Sequence, residues 1–314
     1  MSGLAQSRVP SPAQASPSRP APDIDGRNKQ SRYGNSFLAA QLPAREGEHE
    51  HDEVRPPPDG AHDHAGHDHA GHDHGQVLRG IASTIEKLKS PLPAVEGEQR
   101  REVLGVIILG RGVSPTALDA CEKIVTATLA NRKDVQASMK KAKAALVIVP
   151  SKKKMTEVDE FTSLKGTKTF DGRNWDDVRG AGGMRVPSGL FAIAVPEENL
   201  VDLGAGTDGY SDGYSVGLHE LAHAIHDKGL PSSEQDTILE LYNERKKAGG
   251  PWTEDYGASN EWEYFAQATN CFFAANDGIG NNGPGWLKSN DPKMYALLER
   301  IYGPPPVTRD APTP

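Results

Sequence analysis

His219-Glu220-Leu221-Ala222-His223 places two imidazoles four residues apart with a carboxylate between them. On an α-helix, positions four apart share one face, so both rings meet one metal ion while Glu220 stays within reach of its bound water. That residue set suits zinc-assisted peptide hydrolysis: two nitrogen ligands, an acidified water and a carboxylate to take its proton. The histidine distribution sharpens the reading. Of 11 histidines, eight (His49, His51, His62, His64, His67, His69, His72 and His74) lie in an N-terminal tract, and the other three are His219, His223 and His226. The rival reading is an amphipathic helix whose histidines flank its buried face.

The elements around the motif favour the metal. Ser215 as N-cap and Gly229 as C′ stop predict a helix across the motif, and Leu218, Leu221, Ala222 and Ile225 recur as its apolar stripe. His226 lies two turns below His219, roughly 10 Å along the axis, and reads as a core histidine or one that backs the ligands. A catalytic zinc needs three protein ligands and an open position. With no further histidine in the body of the chain, the third donor is a carboxylate or water, and the next long helix offers one. There Asn260 caps a helix from Glu261 onward, Tyr264, Phe265, Ala268 and Phe272 form its buried face, and Glu263 lies on the shoulder of that face. Glu261 is the rival ligand. The metzincin pattern would need Gly at His226 and His at Gly229, so a Glu-ligand zincin remains.

Composition divides the chain. Residues 1–76 are rich in Pro, Ser, Ala, Gly, His and Asp and poor in large apolar residues, so a disordered tail is expected. Residues 77–302 are expected to form one folded unit, and 303–314 a Pro-rich tail. Within the first tail, His62-Asp63-His64-Ala65-Gly66 recurs twice, a repeat that binds divalent metal loosely or serves as a solvated linker. The segment Arg32 to Leu42 interrupts the polar tail as a docking helix for delivery machinery or a stray apolar patch. A net charge of −8 without a basic stripe argues against nucleic acid as a partner. No run of 18 apolar residues suggests a membrane span, and the first ten residues lack a Sec-type apolar core. The location expected is cytoplasmic, or exported by a non-classical route. Cys121 and Cys271 read as buried free thiols, with a single disulfide as the alternative.

Periodicity supplies the remaining frame. Ile81 to Lys89 reads as an amphipathic helix, Val103 to Leu109 as a buried strand, and Ser114-Pro115 as the start of a helix running to about Ala130. A short basic helix over Asp134 to Lys143, a strand over Ala144 to Val149, Gly-rich turns over 166–183 and a strand over Gly189 to Val195 follow. Glu197 and Glu198 read as solvated or structural. The fold class expected is α+β and zincin-like: a mixed β-sheet lobe packed on the active-site helix, followed by a helical lobe carrying the third ligand. In such a fold an edge strand holds the substrate backbone by strand addition, although periodicity does not say which strand.

His219-Glu220-x-x-His223, followed by Tyr256-Gly257-x-x-Asn260-Glu261-x-Glu263-Tyr264-Phe265-Ala266-x-Ala268, resembles the C-terminal protease domain of anthrax lethal factor and its bacterial relatives. The resemblance covers residues 101–277 and is strongest from Val195 to Phe273. It implies a gluzincin-type zinc endopeptidase acting on a peptide or protein substrate, and a secreted toxin or effector. It further implies His219, His223 and Glu263 as Zn2+ ligands, Glu220 as general base, and Tyr256 as hydrogen-bond donor to the oxyanion or leaving group. The chain departs from the pattern at Gln267, where the family carries an acid that backs a ligand histidine. Gln267 would accept the same imidazole N–H through its carbonyl, with weaker metal binding or activity. Two other readings stand beside this one: a zinc-binding module of weak or no activity, and a metal-handling protein that acts through its His-rich tail.

Overall fold

The computed structural model describes residues 95–305, apart from 170–171, 205–207, 210–212 and 277–279. The expected helix over 81–89, the segment 32–42, the histidine tract and most of both proposed tails lie outside the described residues. Strands β1 (Val95–Val103), β2 (Val106–Val113), β3 (Ala144–Val149), β4 (Ala181–Arg185) and β5 (Phe191–Pro196) form one sheet in the order β1-β2-β3-β5-β4. The two central pairings are parallel, while β1 and β4 join antiparallel at the edges. Helices α1 (Pro115–Leu129) and α2 (Lys133–Ala142) connect β2 to β3, and the short α3 (Glu197–Leu200) follows β5. Then come α4 (Val216–Ala224), α5 (Ser232–Ala248), α6 (Glu261–Phe272), α7 (Pro284–Asn290) and α8 (Pro292–Tyr302). This is the α+β, zincin-like arrangement expected: a mixed sheet packed on the HELAH helix, followed by a helical lobe that carries Glu263.

Both faces of the sheet are covered, which is why its central strands are apolar throughout. Ile108, Leu146, Ile148, Ile193 and Val195 join Leu118, Cys121, Ile124, Leu218 and Leu221 on the helical side. Their neighbours Leu109, Val147, Val149, Ala192 and Ala194 join Met155, Phe161, Trp175 and Val178 on the other. The period of two along each strand sorts the side chains between these two cores.

Three expectations need correction. The strand expected over Val103 to Leu109 crosses a hairpin turn: Leu104 (φ 47°) and Gly105 (φ 85°) reverse the chain between β1 and β2. Positive φ at both central residues is the I′ geometry of two-residue hairpins. Leu104 is a poor signal for it, and β1 itself is too polar to read as a strand. The Gly-rich stretch is not turns throughout, since Ala181–Arg185 is an edge strand. Gly229 is not a left-handed helix stop. The chain continues through a π turn, Ile225–Gly229, closed by a bond from Leu230 N–H to Ile225 C=O (2.8 Å). A Cβ on Gly229 would stand 2.8 Å from Val135 Cγ1, so glycine is needed for close packing on α2. At the other end, α8 stops at Tyr302, where Gly303 has φ 88°. Among the described residues, no helix is long and apolar enough to cross a membrane.

The entry to α4 is clamped from two sides. Asn199 Oδ1 accepts from Val216 N–H (2.7 Å) and its Nδ2 donates to Tyr214 C=O (2.8 Å). Asn270 Nδ2 on α6 donates to Ser215 C=O (3.1 Å), and Ser215 N–H donates to Ala275 C=O (3.1 Å). Asn199→Ala leaves one buried amide and one buried carbonyl unpaired, a loss of about 2–4 kcal/mol. Urea unfolding should show a lower midpoint at unchanged slope; an unchanged midpoint would remove Asn199 from the clamp.

Candidate metal centre

Two side-chain caps set the rotational phase of the helices that build the site. Ser215 Oγ accepts from Leu218 N–H (3.2 Å), and Asn260 Oδ1 accepts from Glu263 N–H (2.9 Å). His219 follows its cap by one turn, and Glu263 is itself the residue whose amide is capped. The two helices pack together and bring His219, His223 and Glu263 to one point, all three fully buried. His219 Nε2 and His223 Nε2 stand 3.1 Å apart, and Glu263 Oε2 lies 3.2 Å and 3.4 Å from them. A tetrahedral ion with ligand bonds of about 2.0–2.1 Å sets its donor atoms about 3.3–3.4 Å apart, so the trio fits a divalent metal.

The protonation states point the same way. Burial raises Glu263, but His223 and His219 outweigh it and hold the carboxyl down to about 2. Burial lowers His219, although Glu263 opposes it. Glu263 is thereby held ionised and His219 kept neutral, the states in which each offers a lone pair to a cation.

Glu220 is fully buried, and neither carboxylate oxygen has a hydrogen-bond partner. Its pKa is raised well above the usual carboxylate range, first by burial and then by the charge of Glu263, with Arg173 opposing. Tyr256 sits half-buried on the 3-10 turn Asp255–Ala258, just before α6. Glu261 is only partly buried and lies outside the trio. His226 packs against Trp262 with its ring tilted by 35° (centroids 4.0 Å) and beside Phe265 (5.2 Å). Burial, then His223, lowers it to about 3, so it is a neutral core histidine. Glu197 accepts from Ser114 and Ser151 amides and Glu198 pairs with Arg179, so both are structural. Cys121 and Cys271 are free buried thiols, and burial pushes Cys271 up to about 12.

A family profile described as "Anthrax toxin lethal factor, N- and C-terminal domain" matches residues 119–301, more than half of the chain. The chain belongs to this family. No curated protein matches it. Among solved structures, the PRO-PRO endopeptidase (PPEP-2) from Paenibacillus alvei is similar at 18% identity, with a TM-score of 0.44, over 63% of this chain and 97% of that one. In this member of the lethal factor family, Gln267 does not back His219 or His223. Its Nε2 donates to Tyr214 Oη (3.3 Å), while its Oε1 and the Nδ1 atoms of His219 and His223 make no hydrogen bond. Tyr214 in turn lies beside His219, with ring centroids 6.0 Å apart.

Sequence reasoning missed three features here: Tyr214 beside His219, Gly180 and Gly182, which it read as turns, and Glu254. Glu254 is 6% exposed and neither oxygen has a hydrogen-bond partner. Burial first, then Glu263 and Asp255, raise it to about 8. An acid raised in the folded state binds protons there that the unfolded chain has already released. Its cost is therefore absent below the unfolded pKa near 4.5, grows with pH and levels off above about 8. Glu254→Gln removes that cost. Melting curves should show the variant more stable at pH 8 by on the order of 2–3 kcal/mol and equal to wild type near pH 4. Equal stability at both pH values would mean that Glu254 is solvated.

Proposed function

We propose that this protein is a zinc-dependent endopeptidase of gluzincin type, with His219, His223 and Glu263 as zinc ligands, Glu220 as general base and Tyr256 as oxyanion donor. The carrying observation is the buried His-His-Glu trio with an unpartnered carboxylate one residue after His219. Membership of the lethal factor family supports a metallo-endopeptidase, and zinc is the ion that best suits two imidazoles and one carboxylate. When bound, the metal supplies a Lewis acid for the scissile carbonyl and lowers the pKa of water.

The chain's own residues do the rest. Glu220, held in dry surroundings, accepts a proton from the attacking water and passes it to the leaving amine. The raised proton affinity of its carboxyl suits the first transfer, in which it takes the proton from water. Tyr256 donates a hydrogen bond where negative charge develops. β4 ends the sheet and lies against His223 through Gly182, so it is the strand we assign to pair with an extended peptide. The folded unit is proposed to span 77–302 between tails 1–76 and 303–314, with the first tail open to a delivery partner. An exported toxin or effector role fits that organisation.

The test is metal content and peptide hydrolysis on the full chain, with Glu263→Ala as reference because the histidine tract binds metal equally in both proteins. Wild type should hold one more zinc than Glu263→Ala, and Glu261→Ala should match wild type. Glu220→Gln should keep the zinc and lose activity by about 10³-fold. Full activity in Glu220→Gln, or equal zinc in wild type and Glu263→Ala, would refute the assignment.

A further inference from the structure

We propose that Gly180 and Gly182 are positioning residues of the metal centre, Gly180 setting the carboxylate of Glu220 and Gly182 the imidazole of His223. The inference rests on the peptidase reading for Glu220 and on the trio's geometry for His223. Residues two apart in extended chain face the same side, so both glycines turn toward α4. A Cβ on Gly180 would stand 2.8 Å from Glu220 Oε1 and 2.6 Å from Val216 Cγ1. A Cβ on Gly182 would stand 2.7, 2.8 and 2.9 Å from Cβ, Cδ2 and Cγ of His223. Carbon contacts are normally about 3.5–4.0 Å, so no side chain fits at either position.

Backbone conformation does not demand glycine there. Gly183, next in the strand, has φ 111°, whereas Gly180 and Gly182 are absent from the left-handed region. Space is the reason for both.

What the close approach achieves follows from the missing hydrogen bonds. Metal-binding histidines are usually oriented by a hydrogen bond from their second nitrogen. Among the described residues, His223 Nδ1 makes none, and neither oxygen of the buried Glu220 is hydrogen-bonded. Packing must therefore orient both groups, and the bare backbone of Gly180, just before β4, and of Gly182 within it is the surface they pack on. A bulge lets the strand do this: between the pairs Ala181–Ala194 and Met184–Ala192, β4 carries one residue more than β5. Each glycine meets a different group, one a metal ligand and the other not, so their effects are separable.

Gly180→Ala and Gly182→Ala are made in the full chain and titrated with Co2+, with Glu263→Ala subtracted to remove the tract's contribution. Melting temperature, the pH midpoint of the cobalt spectrum, and kcat and KM on a cleaved peptide are measured alongside. Gly182→Ala should weaken Co2+ binding by about 10- to 100-fold. Gly180→Ala should leave Co2+ affinity unchanged, shift the pH midpoint, and lower kcat by about 10- to 100-fold with KM held. If Gly180→Ala fails to fold, Gly180→Ala with Val216→Ala removes the contact to valine and keeps that to Glu220. Parallel loss of affinity and melting temperature in both variants would reduce the glycines to ordinary packing, and no change in either would also overturn the proposal. A wild type that binds Co2+ through Glu263 yet cleaves no peptide would refute the peptidase reading, while the cobalt measurements still decide this one.

Discussion

Four polar side chains with no access to water stand at the centre of this molecule, and the rest of the structure is organised around making them tolerable. Glu220, His219, His223 and Glu263 are all fully buried. An unpaired carboxylate in such surroundings costs several kcal/mol, more than most domains can spare. Three of the four converge on a point that a divalent cation fills, which turns a liability into a source of stability. The fourth, Glu220, has no hydrogen-bond partner among the described residues, the kind of surroundings that shift a carboxyl's proton affinity.

Holding that arrangement takes two helices from different parts of the chain with their rotations locked. The caps at Ser215 and Asn260 lock them at the start, and the Asn199 and Asn270 bonds tie the entry of one helix to both lobes. The sheet contributes flatness. Its last strand carries no side chain where α4 lies against it, so the backbone itself becomes a wall of the site. Trp175 and Phe161, buried on the far face, press the strand from behind.

Much of this was legible from residue types. HELAH supplied two of the three donor groups that cluster, Ser215 and Asn260 the caps, and Glu263 was preferred to Glu261 from its place on the shoulder of the buried face of its helix. Strands β3 and β5 showed as short apolar runs because they are buried on both faces. The failures share one cause: local pattern was overruled by a neighbour. β1 is polar because it is an exposed edge strand, and Gly182 in β4 is bare because a helix lies on it. Gly229 is small for the sake of Val135, not for helix termination. Gln267 binds Tyr214 instead of an imidazole, a choice that depends on where a residue 53 positions away happens to lie.

By itself, then, the sequence determined two candidate donors, a choice between Glu263 and Glu261 for the third, the period of each helix that carries them, and the absence of any other histidine in the body of the chain. These are local properties, written in residue type and spacing over one or two turns. Tertiary structure decided the remainder: that three donor atoms meet within 3.4 Å, that Glu220 has no hydrogen bond among the described residues, and that two glycines let the chain at β4 approach the HELAH helix. Those facts depend on the distance between elements far apart in the chain. Distance is set by packing, and packing leaves no period in the sequence to read.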